Sequence, residues 1–250
     1  MADQEECWSR VAKVYEKEFI DPYRPEVVRP VHRILRAFAR RGCKSVADLG
    51  CGIGPLLPFL SEHFEAVWGV DFASAMLERA RVTAPGCLLL HRSLLDLTPL
   101  YGQLDVAVTI NSMVMPSVSD QERALSEIHR CLKPNGYVVA VLPAMDGVHY
   151  LTMLLVDRAR DAGMPLEAAR KNAAKLNDLD AYDFAFGQFR FEGIEQHFWQ
   201  PFEIRHRFKR AGLRVVLLRK LRLAWRQFAG WRELQKHPAP WDWLVIARRA

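Results

Sequence analysis

No C-x-x-C pair occurs in this 250-residue chain, whose five cysteines (Cys7, Cys43, Cys51, Cys87 and Cys131) are scattered. That spacing argues against a zinc site or a disulfide framework and fits free thiols in a reducing compartment. Long apolar runs are missing too. The longest, Tyr137 to Leu142 and just beyond, falls far short of the roughly 20 residues a spanning helix needs. The first residues, Met-Ala-Asp-Gln-Glu-Glu, lack the basic and apolar regions of a secretory signal. These absences predict a soluble, cytoplasmic protein without a membrane span. There is no internal repeat or low-complexity segment, and the ordinary charged fraction of 26% excludes wholesale disorder.

What is present is a half-hydrophobic chain, enough to bury a full core as one large domain or one domain plus a cap. Its net charge of +6 is unevenly placed: from Pro201 onward 13 Lys or Arg face only 3 acids. A basic patch of this kind can meet nucleic acid, phospholipid or a carrier protein. No aromatic-interleaved basic cluster accompanies it, so a solvated face around two late strands is the expectation, and nucleic acid is not an expected partner.

Periodicity divides the chain into three parts. Residues 1–42 read as helical, with Trp8, Val11, Val14, Tyr15 and Phe19 at helical spacing, then Val27 to Phe38 as a second helix closed by Gly42. Residues 43–143 alternate strand and helix. Short apolar runs predict strands at Ser45–Leu49, Ala66–Asp71, Leu88–His91, Asp105–Ile110 and Tyr137–Leu142. Helical patterns fill Gly54–Phe64, Ser74–Val82 and Asp120–Leu132 between them. Such alternation implies right-handed crossovers and a parallel, doubly wound α/β sheet. Residues 144–200 break the rhythm as an inserted cap: two helices within Asp146–Asn177, then an aromatic stretch from Tyr182 to Phe202. Residues 201–250 return to the core through a helix at Pro201–Ala211 and strands at Leu213–Leu223 and Trp243–Arg248.

One string stands out. Val46-Ala47-Asp48-Leu49-Gly50-Cys51-Gly52-Ile53-Gly54 runs from a strand straight toward a helix. Glycines there allow unusual dihedrals and let the backbone touch a ligand. A nicotinamide-binding loop would want G-x-G-x-x-G; here the third glycine comes one residue early and Pro55 stands in its place. The acidic Asp48 suits a ligand carrying an ammonium and a sulfonium better than a pyrophosphate. Asp71, at the predicted tip of the second strand, can accept both hydroxyls of a ribose or cap the helix that follows. Phe72 and Met76 beside it suit an adenine face, or the core.

The strings VADLGCGIG, VWGVDFASAMLERAR, LDVAVTINSMV and CLKPNGYVVAV together resemble the successive motifs of class I, Rossmann-like S-adenosylmethionine-dependent methyltransferases, strongly from Ser45 through Leu142. The resemblance implies a three-layer fold with seven strands in the order 3-2-1-4-5-7-6, the seventh antiparallel. It implies S-adenosyl-L-methionine as cofactor, with Gly50, Cys51 and Gly52 along the methionine moiety, Asp71 on the ribose and Asn111 beside the methionine amino group. Residues 1–42 would then cover the cofactor site. Where many relatives carry an acid for the adenine amino group, this chain has Ser93-Leu94, with Asp96 as a displaced alternative.

Methyl transfer from a sulfonium is an in-line displacement in which positioning supplies much of the acceleration. A base is needed only for a protonated nucleophile, and His149 and His197 in the cap are the candidates. Tyr15, Tyr23, Met113, Met115, Phe184, Phe191 and Trp199 are candidate substrate contacts. Asn111-Ser112-Met113-Val114-Met115-Pro116 is not the N-P-P-Y of amino-directed DNA methyltransferases, and neither a Pro-Cys nucleophile nor an acidic magnesium cluster appears. The expectation is metal-independent methylation of a small, partly apolar molecule on oxygen, nitrogen or carbon by a monomer or homodimer. A protein or peptide methyltransferase and a catalytically silent cofactor-binding protein are the alternatives. Finally, Gly187-Gln188 predicts a two-residue hairpin turn that sets Phe186 against Phe189 and Phe184 against Phe191, all four rings on one face.

Overall fold

A computed structural model describes residues 23–191, 194–228 and 231–250. The expected helix around Trp8 to Phe19, and Tyr15 with it, lies outside the described residues. Helix α1 (Pro25–Arg40) places Val27, Val31, Leu35 and Phe38 at three- and four-residue steps, so one apolar stripe is buried. Then come β1 (Ser45–Leu49), α2 (Leu57–Ser61), β2 (Ala66–Asp71), α3 (Ser74–Thr83), β3 (Leu88–His91), β4 (Leu104–Ile110), α4 (Val118–Cys131) and β5 (Leu132–Pro143). Helix α2 is shorter than the pattern over Gly54–Phe64 predicted. Pro55 and Pro58 remove two amide donors, so regular hydrogen bonding begins only once Pro58 can sit in the first turn.

The cap follows as α5 (Met145–Asp161), α6 (Leu166–Leu176) and three short strands, β6 (Tyr182–Asp183), β7 (Gln188–Phe191) and β8 (Ile194–His197). Helix α7 (Pro201–Arg210), β9 (Leu213–Arg222) and β10 (Trp241–Arg249) complete the chain. The main sheet has seven strands in the order β3-β2-β1-β4-β5-β10-β9. Strands β1 to β5 pair in parallel, and β10 is antiparallel to both β5 and β9. In chain order within that sheet this is 3-2-1-4-5-7-6, the layout expected from the sequence.

Each face of the sheet has its own core. On one, Ala124, Leu125 and Ile128 of α4 and Ile204 and Phe208 of α7 pack on Ala107, Val138 and Val245. On the other, α1 and α2 cover Val46, Val108, Val141 and Leu244. Burial from both sides explains why the inner strands are near-continuous apolar runs. Among the described residues, no helix is long and apolar enough to cross a membrane.

The aromatic stretch is not the predicted hairpin. Tyr182 pairs with Phe189 and Asp183 with Gln188, so residues 184–187 form a four-residue loop and β7 pairs onward with β8. The register moved because Asp183 Oδ1 accepts from the amides of Ala185, at 3.1 Å, and Phe186, at 3.3 Å, starting the turn three residues early. Phe186 is consequently 73% exposed. Its expected place against Phe189 is taken by Tyr182, at a ring separation of 4.8 Å.

Candidate cofactor and substrate site

The carboxyl ends of the parallel strands form the candidate site, the edge at which open α/β sheets bind ligands. At the end of β1, Gly50, Gly52 and Gly54 have φ of 78°, 53° and 77°. Their reasons for being glycine differ. A Cβ on Gly50 would stand 2.2 Å from Ser112 Cβ, so the tip of β4 itself requires the bare backbone. Ser112 is fixed there by donating to the Leu49 carbonyl at 2.6 Å and by Thr109 Oγ1 at 2.6 Å. A Cβ on Gly54 would crowd Leu57 and Ala80, where α2 and α3 approach. A Cβ on Gly52 meets nothing within 4 Å among the described residues. Of the three, it is Gly52 that faces open space for a ligand.

Asp71 ends β2 and is 7% exposed. Its Oδ2 accepts from Gly52 N at 2.8 Å and its Oδ1 from Ala73 N at 2.9 Å, tying the β1 and β2 turns together. Burial raises its pKa, and the amides of Ala73, Gly52 and Phe72 offset part of that rise. Each oxygen keeps a further lone pair for a ligand hydroxyl. Asp48, inside β1, is fully buried, and neither carboxylate oxygen has a hydrogen-bond partner among the described residues. Burial, and then the neighbouring Asp71 charge, pushes it up to about 8. Burial likewise pushes the Cys51 thiol up, and its Sγ lies 3.7 Å from the Gly52 carbonyl.

Met76 is buried with Ala73 against Ile53 and Ala75, and Phe72 is half-buried. The Phe72 carbonyl lies 2.8 Å from His91 Nε2, a contact that nothing in the sequence pattern announces. Ser93 Oγ accepts from Leu95 N at 3.2 Å, and Leu94 is buried. Asp96 is exposed, and its Oδ1 takes both the amide and the hydroxyl of Thr98, so this acid is committed to its own turn.

Asn111 follows β4 with φ 51°, and its amide donates to the Val141 carbonyl at 2.9 Å. Its Nδ2 donates to Asp242 Oδ2 at 3.4 Å, and its Oδ1 is buried without a partner among the described residues. Asp242 was missed from sequence, where the strand was started two residues late, at Trp243. The signal was a single acid at the mouth of an otherwise apolar run, Trp-Asp-Trp-Leu-Val-Ile.

Several substrate candidates turn out to be architecture. Met113 and Trp199 are fully buried core residues, and the Trp199 indole donates to the Met113 carbonyl at 2.8 Å. Trp199 N also donates to Pro143 O, and Trp199 O accepts from Met145 N. Met115 remains half-buried, its carbonyl taking Gln121 Nε2 at 2.8 Å. Tyr23 is half-buried against the α1 side of the core. Phe184 is half-buried and stacks on the exposed His149 at 4.4 Å; the Phe191 backbone lies in β7. The second base candidate, His197, is 2% exposed. Its Nε2 lies 2.9 Å from Glu203 Oε2, and Glu203 Oε1 accepts from Arg207 Nε at 2.6 Å. His197 therefore joins the cap to α7 through a buried hydrogen-bonded chain.

Residues 46–136 match the family model described as a methyltransferase domain. This segment is similar to a methyltransferase domain. Its matched residues run from β1 into β5 and so carry the glycine turn, Asp71 and Asn111. Trans-aconitate 2-methyltransferase of Enterobacter sp. (strain 638) is 28% identical over 123 residues, covering 48% of this chain and 48% of that protein. The chain thus matches about half the length of that relative. A solved S-adenosylmethionine dependent methyltransferase from Mesorhizobium loti superposes with a TM-score of 0.59 at 22% identity, covering 88% of this chain and 96% of the other. Burkholderia thailandensis 1,6-didemethyltoxoflavin-N1-methyltransferase, solved with S-adenosylhomocysteine, gives 0.60 at 15% identity over 100% and 86%. The matched segment and its two following strands therefore have the class I, Rossmann-like methyltransferase fold.

Proposed function

We propose that the protein transfers a methyl group from S-adenosylmethionine to a small, partly apolar molecule. The observation that carries this reading is Asp48: a buried carboxylate with no partner among the described residues, beneath a glycine turn whose Gly52 faces open space. Burial without a partner keeps this carboxyl from ionising readily, pushing it up to about 8; a ligand with both an ammonium and a sulfonium supplies the positive charge that favours the ionised form. S-adenosylmethionine, when bound, provides an electrophilic methyl group on sulfur. The chain's own residues bind and orient. Asp71, preset by the Gly52 and Ala73 amides, accepts the ribose hydroxyls, Phe72 and Met76 flank the base, and Asn111 offers its side-chain carbonyl at the tip of β4.

The acceptor reaches this edge under the cap. Residues 144–200 act as its lid and residues 1–42 as its cover, with Met115, Tyr23 and Phe184 among the apolar contacts. Small-molecule relatives such as the trans-aconitate enzyme support that substrate class over a protein or nucleic acid. On this reading the protein is a cytoplasmic monomer or homodimer that works without a metal.

Titration calorimetry with S-adenosylhomocysteine tests the cofactor. Asp71→Ala should weaken binding by roughly 2–4 kcal/mol, the scale of hydrogen bonds to a charged group; unchanged affinity would sink the ribose assignment. Screening a metabolite library for S-adenosylhomocysteine release tests the substrate class, and activity lost in EDTA and regained with magnesium would refute metal independence.

A further inference from the structure

We propose that Asp242 is a positioning residue of the cofactor site: as a carboxylate it holds Asn111 Nδ2 and thereby turns the Asn111 carbonyl toward the ligand's ammonium group. This rests on the cofactor reading above. Because β10 runs against the other strands, its first residues lie at the carboxyl ends of β4 and β5, with Asp242 opposite Pro143. Asn111 leaves β4 in the left-handed region, and its Nδ2 stands 3.4 Å from Asp242 Oδ2. A primary amide can present either end, but an ionised carboxylate only accepts, so it selects the NH2 end. The carbonyl Oδ1 is left facing elsewhere, buried and without a partner among the described residues. An ammonium group fits that acceptor.

Protonation removes the selection. A neutral Asp242 carries a hydrogen of its own and can donate to Oδ1, which lets the amide turn over and present NH2 to a cation. Burial pushes Asp242 up to about 7, while its bonds to Asn111 and the Ala144 amide pull it back. The change therefore falls in the neutral range. Its surroundings add little charge. Leu221 pairs with it from β9, and Ala144 caps α5. Asp146, on the first turn of α5, bonds the Trp243 indole, and Lys220 lies over the Trp241 ring, both on the opposite face of β10. On the covering side, Glu26 of α1 and Arg226 neutralise one another at 2.6 Å.

S-adenosylhomocysteine is the probe, with its dissociation constant measured by calorimetry from about pH 8.5 to about pH 6 on wild type, Asp242→Asn and the swap Asn111→Asp with Asp242→Asn. Wild-type affinity should fall by up to about tenfold per pH unit once Asp242 protonates. Asp242→Asn should bind more weakly at the high end and lose that part of the slope; the contribution of Asp48 is common to all three proteins. In the swap, the amide placed at position 242 donates to a carboxylate at position 111, so affinity and slope should both return. A structural role alone would not produce this recovery. Wild-type affinity and slope in Asp242→Asn, or a swap no better than the single variant, would overturn the proposal. Wild type that fails to bind at every pH would instead reject the cofactor reading itself.

Discussion

Two parts of the molecule contrast sharply: the parallel half of the sheet, β1 to β5, and the cap between Met145 and His197. In the first, the inner strands are covered on both faces, so burial dictates apolar runs and turn residues mark where they stop. In the second, three strands of two to four residues are held by ring contacts and by side chains bonded to backbone, such as Asp183 to the amides of Ala185 and Phe186. Burial writes a long, redundant signal into sequence. A single carboxylate that starts a turn three residues early writes almost none.

The contrast can be tested at the glycine turn first, where the largest effect is expected. Gly50→Val must displace the tip of β4 and hold a β-branched residue at φ 78°, at a cost of about 4 kcal/mol or more. Thermal melts should show it largely unfolded, and a stable, ligand-binding variant would contradict the packing described for Ser112. Gly52→Ala should cost only about 1 kcal/mol from its left-handed backbone, yet lose S-adenosylhomocysteine binding because its methyl enters the ligand's space. Equal losses of stability at the two positions would erase the distinction between them.

Within the cap, Trp199→Phe removes one buried donor and leaves the Met113 carbonyl unsatisfied, an expected loss of roughly 1–3 kcal/mol in urea unfolding. Limited proteolysis should then cut the cap before the sheet. Glu203 offers a pH test. His197 and Arg207 hold its pKa below the usual glutamate value against an opposing push from burial. Its stabilising contribution is thus present above the unfolded pKa and lost as pH falls through the lower, folded one. Glu203→Gln should be less stable at neutral pH and should flatten the acid limb of the stability profile; an unchanged acid limb would count against the hydrogen-bonded chain. The smallest effect belongs to Phe184→Ala, whose ring meets only an exposed His149 and half-buried neighbours among the described residues. Within about 0.5–1 kcal/mol is expected.

Legibility followed the same divide. The ends of β1, β2 and β3 were read to the residue, and the string from Asp48 to Gly54, with Asp71 and Asn111, was located because glycine and acid at strand tips have few other uses. Beneath these the sequence was silent about partners. It did not show that Gly50 serves Ser112 while Gly52 faces open space, since both appear as glycine. Asp242 was overlooked because β10 comes last in the chain and only the fold returns it to the tip of β4. His197 and Trp199 looked like pocket residues because an aromatic stretch reads alike whether its rings line a cavity or bolt one layer to another.

The bond from the Trp199 indole to the Met113 carbonyl also has a kinetic meaning. It closes a separation of 86 residues, and its neighbouring bonds at Pro143 and Met145 require β5 to be finished. Until β4 and β5 lie side by side, these acceptors are not gathered in one place, so docking the cap is a late, non-local event with a large loop-closure entropy. Contacts formed after the folding barrier mainly govern how fast the native state comes apart. Residue 199 therefore acts chiefly on the lifetime of the folded cap and hardly on the speed with which the sheet assembles.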